Sequence, residues 1–253
     1  MNVSCVMIVK NGTRTIRKTL ESLREFDDVV VYDNGSTDGT QAIAREYSNV
    51  HLIEGEFDGF GTTKNRAAGY AKYDWILSID SDEEVDTELM KTLKNDTFDT
   101  NTVYLINSLA YYKEIPIRHS GWNNQKVRRF YHKKTTAFND NFVHERIMDE
   151  GMKTALLNGN MKHYSYMSIS DFIVKLDRYS TLFATDNVGK KSSSPAKAFF
   201  NGLYSFFRTY ILKRGFLDGY AGLIIAFSHM ATNFYKYIKL YEMNLEQKSK
   251  RGK

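Results

Sequence analysis

Short apolar runs alternate with helical patterns along the N-terminal part of the chain. Runs at residues 3–9, 29–32, 50–53 and 75–79 have the length and composition of buried strands. Between the first two runs, Ile16, Leu20 and Leu23 recur at helical spacing. Strands and helices that alternate with short connections imply right-handed βαβ crossovers. The pattern therefore predicts an α/β fold with a Rossmann-like, mostly parallel sheet and helices on both faces.

The pattern changes twice after the fourth run. Residues 103–163 are irregular, with short strand-like pieces at 103–106 and 127–131. From residue 170 onward, apolar side chains recur at helical spacing, which predicts C-terminal amphipathic helices with a polar linker at 189–194. We therefore expect two domains, at residues 1–165 and 166–253.

A cluster of carboxylates follows the fourth run. Asp80 and Asp82 are expected at the carboxyl end of this strand, where open α/β sheets bind ligands. Together they can share one Mg²⁺ or Mn²⁺, whose remaining positions suit diphosphate oxygens. The alternative is that the acids of this stretch only stabilise the start of the next helix, since Glu83, Glu84, Asp86 and Glu88 directly precede its apolar pattern and Asp86 is the expected cap. The first interpretation predicts a nucleotide that carries a leaving group.

Two more loops bring polar residues to the same predicted edge. Asp33 follows the second run, and its carboxylate can accept from a base N–H or a ribose hydroxyl; the alternative is a turn that caps the next helix. Lys64 lies in a third loop, where a solvated charge is the alternative. The chain has no Gly-x-Gly-x-x-Gly after the first run and no P-loop, which argues against a dinucleotide cofactor and against ATP hydrolysis.

Four motifs in order resemble the family-2 glycosyltransferases of the GT-A fold. They are Val-Lys-Asn-Gly at 9–12, Asp-Asn-Gly-Ser-Thr-Asp-Gly-Thr at 33–40, Gly-Phe-Gly-Thr-Thr-Lys-Asn at 59–65 and Asp-Ser-Asp-Glu-Glu at 80–84. A longer series at 121–122, 125–130, 142–145, 163–166 and 213–219 resembles the lipopolysaccharide core β-1,4-glucosyltransferase group. The resemblance covers nearly the whole chain.

This resemblance implies roles for individual residues. Contact with the nucleotide sugar is implied for Lys10, Asn11, Asp33, Lys64 and Asp80, and direct ligation of Mn²⁺ or Mg²⁺ for Asp82. Similar enzymes invert the anomeric centre with one general base, for which Glu145 is the first choice and Asp140 the second.

Three further positions are expected to contact the acceptor or a phosphate. They are Trp122, His144 and Arg128, or its neighbour Arg129. Each also has a structural alternative, namely a core ring, a hydrogen-bonded histidine and a surface charge. Arg146 is expected as a partner of Glu145; such an ion pair would lower the pKa of Glu145 and weaken it as a base.

Charge is unevenly distributed along the chain. The net charge is +5, 42% of residues are hydrophobic, and basic residues gather in the C-terminal half. Aromatic side chains between Pro195 and Arg214 are interleaved with lysines and arginines, which favours helices lying on an anionic membrane; packing of these aromatics as ordinary core is the alternative. No nucleic-acid motif accompanies the charge. The N-terminus lacks a secretory signal pattern, and the only cysteine, Cys5, is expected in the core.

The expected function is that of a metal-dependent inverting glycosyltransferase in the cytoplasm, peripheral at the inner face of the membrane. By resemblance, it moves a single hexose from UDP-glucose onto a lipid-linked saccharide such as the lipopolysaccharide or lipooligosaccharide inner core. Residues 1–165 would bind the nucleotide sugar and catalyse transfer, and residues 166–253 would associate with the membrane. The alternatives are a capsule or peptide acceptor, or a catalytically silent membrane partner in polysaccharide assembly.

Overall fold

The N-terminal strands form the parallel part of one mixed sheet. The computed structural model describes residues 2–123, 125–141 and 145–251. Strands β1 (Val3–Val9), β2 (Val29–Asp33), β3 (Val50–Glu54) and β4 (Trp75–Ser78) lie in the order β3-β2-β1-β4, all parallel. Each lies where the apolar pattern predicted a strand. Strands β1, β2 and β4 are almost wholly buried, as their nearly continuous apolar runs require, whereas β3 is partly exposed. The predicted α/β fold class is confirmed.

Helices cover both faces of this sheet. Side chains of β1 alternate between the faces, since Cys5 and Met7 pack with α1 (Ile16–Ser22) and α4 (Thr87–Asn95), whereas Val6 packs with α3 (Phe60–Gly69). A short helix, α2 (Thr40–Ala44), links β2 to β3. Cys5 is fully buried, and burial raises the pKa of its thiol, as expected of a core residue.

Antiparallel strands extend the sheet beyond β4. They are β5 (Glu83–Val85), β6 (Thr102–Tyr112), β7 (Ile115–Pro116), β8 (Gln125–His132) and β9 (Lys153–Tyr166). Strand β8 pairs with β4, with Leu77 opposite Phe130. Strand β9 was not predicted, although Leu157, Gly159 and Met161 are buried on alternate positions.

The chain forms two compact units. The first comprises Met1–Leu109 with Asn124–Tyr164, and the second comprises Ala110–Asn123 with Ser165–Lys253. The second unit therefore includes a segment from the middle of the sequence as well as the predicted C-terminal helices.

The second unit is mainly helical. It contains α5 (Ile169–Asn187), α6 (Pro195–Phe207), a π-helical turn (Arg208–Leu212), a 3-10 turn (Gly215–Asp218) and α7 (Gly219–Arg251). Its core includes Tyr112, Ile117, Phe172 and Ile225. Within the described part of the chain, no helix combines the length and the apolarity needed to cross a bilayer.

Candidate active site

Asp33 lies fully buried at the end of β2 with one carboxylate oxygen satisfied. Its Oδ1 accepts from the N–H groups of Gly35 (3.0 Å) and Ser36 (2.8 Å) and from Nε2 of Gln41 (3.0 Å). Burial raises the pKa of Asp33, but these hydrogen bonds outweigh burial and hold the pKa below its ordinary value. Among the residues that the structure describes, Oδ2 has no hydrogen-bond partner. An ionised oxygen in this position suits a donor group on a ligand.

Side-chain hydrogen bonds join the loop after β1 to the loop after β2. Oδ1 of Asn11 accepts from the N–H of Thr37 (2.8 Å), and the N–H of Asn11 donates to Oγ of Ser36 (2.8 Å). The N–H of Thr13 donates to Asp38 at 3.1 Å. Asn11 therefore holds the two loops together, which fixes the position of the segment after Asp33.

A pocket of about 380 Å³ lies beside these loops. The rings of Phe57 and Phe60 stand edge to face with centroids 5.0 Å apart. The pocket is lined by Ile8, Val9, Lys10, Asn34, Phe57 and Phe60. Two aromatic rings beside an ammonium group suit a planar base that carries a phosphate.

Lys64 is a buried cation that bridges two carboxylates. Its side chain is only 5% exposed, and Nζ lies 3.1 Å from Oδ1 of Asp80 and 3.1 Å from Oε1 of Glu145. Helix α3 packs closely against the backbone at Asn139 because residue 61 is glycine. A Cβ at this position would lie 1.8 Å from the carbonyl oxygen of Asn139. The structure thus brings together three residues that the sequence predicted separately.

Arg129 is the second buried cation of this cluster. Its Nη2 contacts Oδ2 of Asp80 at 2.5 Å and Oε1 of Glu83 at 2.8 Å, and the N–H of Asp80 donates to Glu83 at 2.9 Å. Burial raises the pKa of Asp80, but the charges of Arg129 and Lys64 outweigh it and hold that pKa far below its ordinary value. Burial raises the pKa of Glu83. An adjacent pocket of about 330 Å³ is lined by Asp80, Arg129 and Glu145 among others.

Asp82 stands apart from these two cations. Its Oδ2 lies 3.4 Å from Nε2 of His163, and both side chains are partly exposed. Burial lowers the pKa of His163, but the neighbouring carboxylates, Asp82 first, raise it above the ordinary value. In the described ranges, no group of three His, Cys, Asp or Glu side chains is placed to hold a metal ion. Because both oxygens of Asp80 face cations, Asp82 is better placed to ligate a hard cation whose other ligands come from a substrate.

Other predicted residues lie outside this cluster. Asp140 is exposed and does not line either pocket, and Arg128 pairs with Asp149 at 2.6 Å. Trp122 belongs to the second unit, where its ring stacks on Tyr166 with centroids 5.2 Å apart. His144 lies outside the described residues.

Two residues of the cluster were missed by sequence reasoning. Glu83 was interpreted as a helix-start acid, but it lies in β5 and is only 1% exposed. His163 lies in β9 directly opposite Glu83, and this strand was not predicted. Arg146, which was expected to pair with Glu145, pairs instead with Glu150.

The chain is similar in sequence to known glycosyltransferases. The model of the family described as Glycosyl transferase family 2 matches residues 4–152, more than half of the chain. An uncharacterized glycosyltransferase of Rickettsia felis is 31% identical and covers 98% of this chain and 92% of its own length. The lipopolysaccharide core biosynthesis glycosyltransferase LpsC of Rhizobium meliloti is 26% identical, covering 95% and 92%. The crystal structure of S. aureus TarS 1-349 in complex with UDP-GlcNAc has a TM-score of 0.47 and 15% identity, covering 100% of this chain and 93% of that one.

Proposed function

The chain belongs to glycosyl transferase family 2, and on that premise we propose that it transfers a single hexose, with inversion, from a nucleotide sugar to a lipid-linked saccharide. The observation that carries the proposal is the meeting of Lys64, Asp80 and Glu145 within ion-pair distance at the end of β4. Ligands of open α/β sheets bind at this edge. The cluster supplies both a place for a diphosphate and a carboxylate for proton transfer.

Asp33 and the adjacent pocket would bind the nucleotide. The unpartnered Oδ2 of Asp33 accepts a base N–H, and the rings of Phe57 and Phe60 contact the base. Lys10 attracts the phosphates from the rim of the pocket. The choice of UDP-glucose rests on the resemblance to the lipopolysaccharide core glucosyltransferases.

Asp82 would hold the divalent cation, Mn²⁺ or Mg²⁺. Its carboxylate is partly exposed and close to His163, whereas Asp80 is committed to Lys64 and Arg129. Oxygen donors of this kind fit a hard cation. A bound cation supplies charge neutralisation to the departing nucleoside diphosphate.

Glu145 would act as the general base. The acceptor hydroxyl oxygen attacks the anomeric carbon from the side opposite the diphosphate, the bond to the diphosphate breaks, and the hydroxyl proton passes to the carboxylate. Lys64, whose Nζ lies 3.1 Å from Oε1, holds the Glu145 carboxylate in position. Asp140 is the second candidate, on the exposed segment that precedes the undescribed residues 142–144.

The acceptor proposal rests on the relatives. LpsC is a lipopolysaccharide core biosynthesis glycosyltransferase that aligns with 95% of this chain. We propose by analogy that the acceptor is a lipopolysaccharide or lipooligosaccharide inner core, met by a peripheral protein at the inner face of the cytoplasmic membrane.

The test combines UDP release with UDP binding. We expect release of UDP from UDP-glucose that requires both Mn²⁺ or Mg²⁺ and a core-saccharide acceptor. Glu145→Gln is expected to bind UDP like the wild type in calorimetry and to lose about 10²–10⁴-fold in transfer rate. Asp82→Ala is expected to lose the metal dependence of UDP binding.

The matched control is Glu150→Gln, an exposed carboxylate on the same segment that pairs with Arg146. It is expected to keep wild-type transfer. Near-normal transfer by Glu145→Gln would move the base assignment to Asp140. Absence of nucleotide binding by the wild type would overturn the proposed function.

A further inference from the structure

Helix α6 places its small residues inside and its large apolar residues outside. Ala198 and Gly202 are its buried residues, whereas Phe200 is 65% exposed and Tyr204 is 60% exposed. A surface helix of a water-soluble unit normally has the reverse distribution, since its apolar stripe faces the core. This arrangement needs a partner for the outer side chains.

Close packing on α7 explains the small inner residues. A Cβ at Gly202 would lie 3.1 Å from the carbonyl oxygen of Met230 and 3.3 Å from Cβ of Phe234. The inner side of α6 is therefore already satisfied by α7, with no space for its aromatic rings. The outer rings are left for something that is not part of the second unit.

The outer side chains form one continuous stripe, which we call the α6 outer face. Their spacing follows the helical repeat, and the stripe continues into the π-helical turn. It consists of Phe199, Phe200, Leu203, Tyr204, Phe207 and Leu212, each between 48% and 65% exposed. Exposed apolar patches of this kind mark interaction surfaces.

The segment that carries the α6 outer face has charged residues of a single sign. Between Asp186 and Asp218 the sequence has no acidic residue. The same stretch contains six basic residues: Lys190, Lys191, Lys197, Arg208, Lys213 and Arg214. All of them except Lys213, which is half-buried, are exposed. The partner of this face must therefore be both apolar and anionic.

A bilayer that contains acidic lipids fits both requirements. A second copy of the chain would bring two such basic stretches together, and like charges across an interface are unfavourable. An interfacial helix with aromatic side chains on one face and cations at its edges binds at the boundary between head groups and acyl chains.

We propose that the α6 outer face is a monotopic docking surface for anionic membranes, with α6 lying in the plane of the interface and the exposed basic residues between Asp186 and Asp218 contacting lipid head groups. The proposal rests on the proposed function in one respect: an enzyme whose acceptor is linked to a lipid must work at a membrane. The docking itself needs neither donor nor acceptor.

Co-sedimentation with vesicles tests the proposal on the full chain. We expect the wild type to bind vesicles of equal parts phosphatidylcholine and phosphatidylglycerol, to bind pure phosphatidylcholine far more weakly, and to be released by high salt. The double variant Phe200→Ser/Phe207→Ser is expected to lose about tenfold or more of the affinity for each ring removed. Lys190→Gln/Lys191→Gln is expected to lose about 30-fold on the anionic vesicles only.

The matched control removes two exposed apolar side chains from the first unit, Tyr70→Ser/Leu156→Ser, and should bind vesicles like the wild type. Circular dichroism checks that each variant is folded. The docking proposal is overturned if the wild type stays in the supernatant with anionic vesicles, or if the Phe200/Phe207 variant still sediments with them. It is also overturned if the rings instead support a concentration-dependent dimer in analytical ultracentrifugation.

Transfer assays separate this proposal from the proposed function. The Phe200/Phe207 variant should retain transfer to a delipidated, water-soluble core saccharide while losing vesicle binding. Vesicle binding without any transferase activity in the wild type would contradict the proposed function and leave the docking surface intact.

Discussion

Arg129→Met removes the buried cation shared by Asp80 and Glu83. The Arg129 side chain is 12% exposed, and Nη2 contacts both carboxylates. After the substitution, Asp80 keeps Lys64 at 3.1 Å, whereas Glu83 keeps the N–H of Asp80 at 2.9 Å. The fully buried Glu83 carboxylate would then lie beside the Asp80 carboxylate without its main counter-charge.

The expected loss of stability is large because one partner of a buried pair is left behind. Removing a single member of such a pair costs about 3–5 kcal/mol. Since Lys64 still compensates Asp80, we expect the lower end, about 3 kcal/mol at about pH 8. This loss should exceed that of most single surface substitutions.

The loss should shrink as the pH falls. Burial already raises the pKa of Glu83 in the wild type, and removal of Arg129 raises it further. The folded variant therefore takes up a proton at higher pH than the unfolded chain, so its stability falls as pH rises through that range and recovers as pH drops. At about pH 5 the difference from the wild type should be clearly smaller than at about pH 8.

Urea unfolding at the two pH values measures both effects. The matched control is Arg128→Met on the same strand, because Arg128 is 37% exposed and its partner Asp149 keeps Arg146 at 3.8 Å. Its cost should stay below about 1 kcal/mol. If Arg129→Met costs no more than Arg128→Met, or if its cost does not depend on pH, the buried-pair reasoning is wrong.

Further predictions concern other parts of the chain. Gly159→Ala should lower the free energy of unfolding by about 2–4 kcal/mol, because φ is +105° and a Cβ would lie 2.1 Å from the backbone nitrogen of Leu89; an unchanged urea midpoint would contradict this. Ser168→Ala removes the capping box of α5 and should cost about 1 kcal/mol in the same assay, so a neutral result would show that the cap is dispensable. Asp33→Asn should keep the turn but place an amide group at the unpartnered oxygen, which lowers UDP affinity about 10–100-fold in calorimetry; unchanged affinity would exclude Asp33 from base recognition.

The parallel strands and the site loops were predictable from local sequence. Residues 3–9, 29–32 and 75–79 are nearly continuous apolar runs, and a strand buried on both faces needs that composition; the shorter run at 50–53 forms the partly exposed β3. The ends of such strands meet at one edge of the sheet. Asp33 and Asp80 could therefore be assigned to a common edge without coordinates.

Strand β9 was harder to predict because its side chains are only partly buried. Strand β9 carries lysines and asparagines between its buried positions, and this weak alternation was interpreted as irregular structure. With β9 unrecognised, His163 could not be placed opposite Glu83.

By itself, the sequence determined the α/β class, the family and the residue types available at the end of each strand, because these depend on local periodicity and on contiguous motifs. Only the tertiary structure decided which charges meet: that Lys64 lies between Asp80 and Glu145, that Arg129 rather than Arg128 is buried, and that α6 turns its rings outward. Ion pairing and burial depend on which distant segments pack together, and no local pattern in the sequence specifies that pairing.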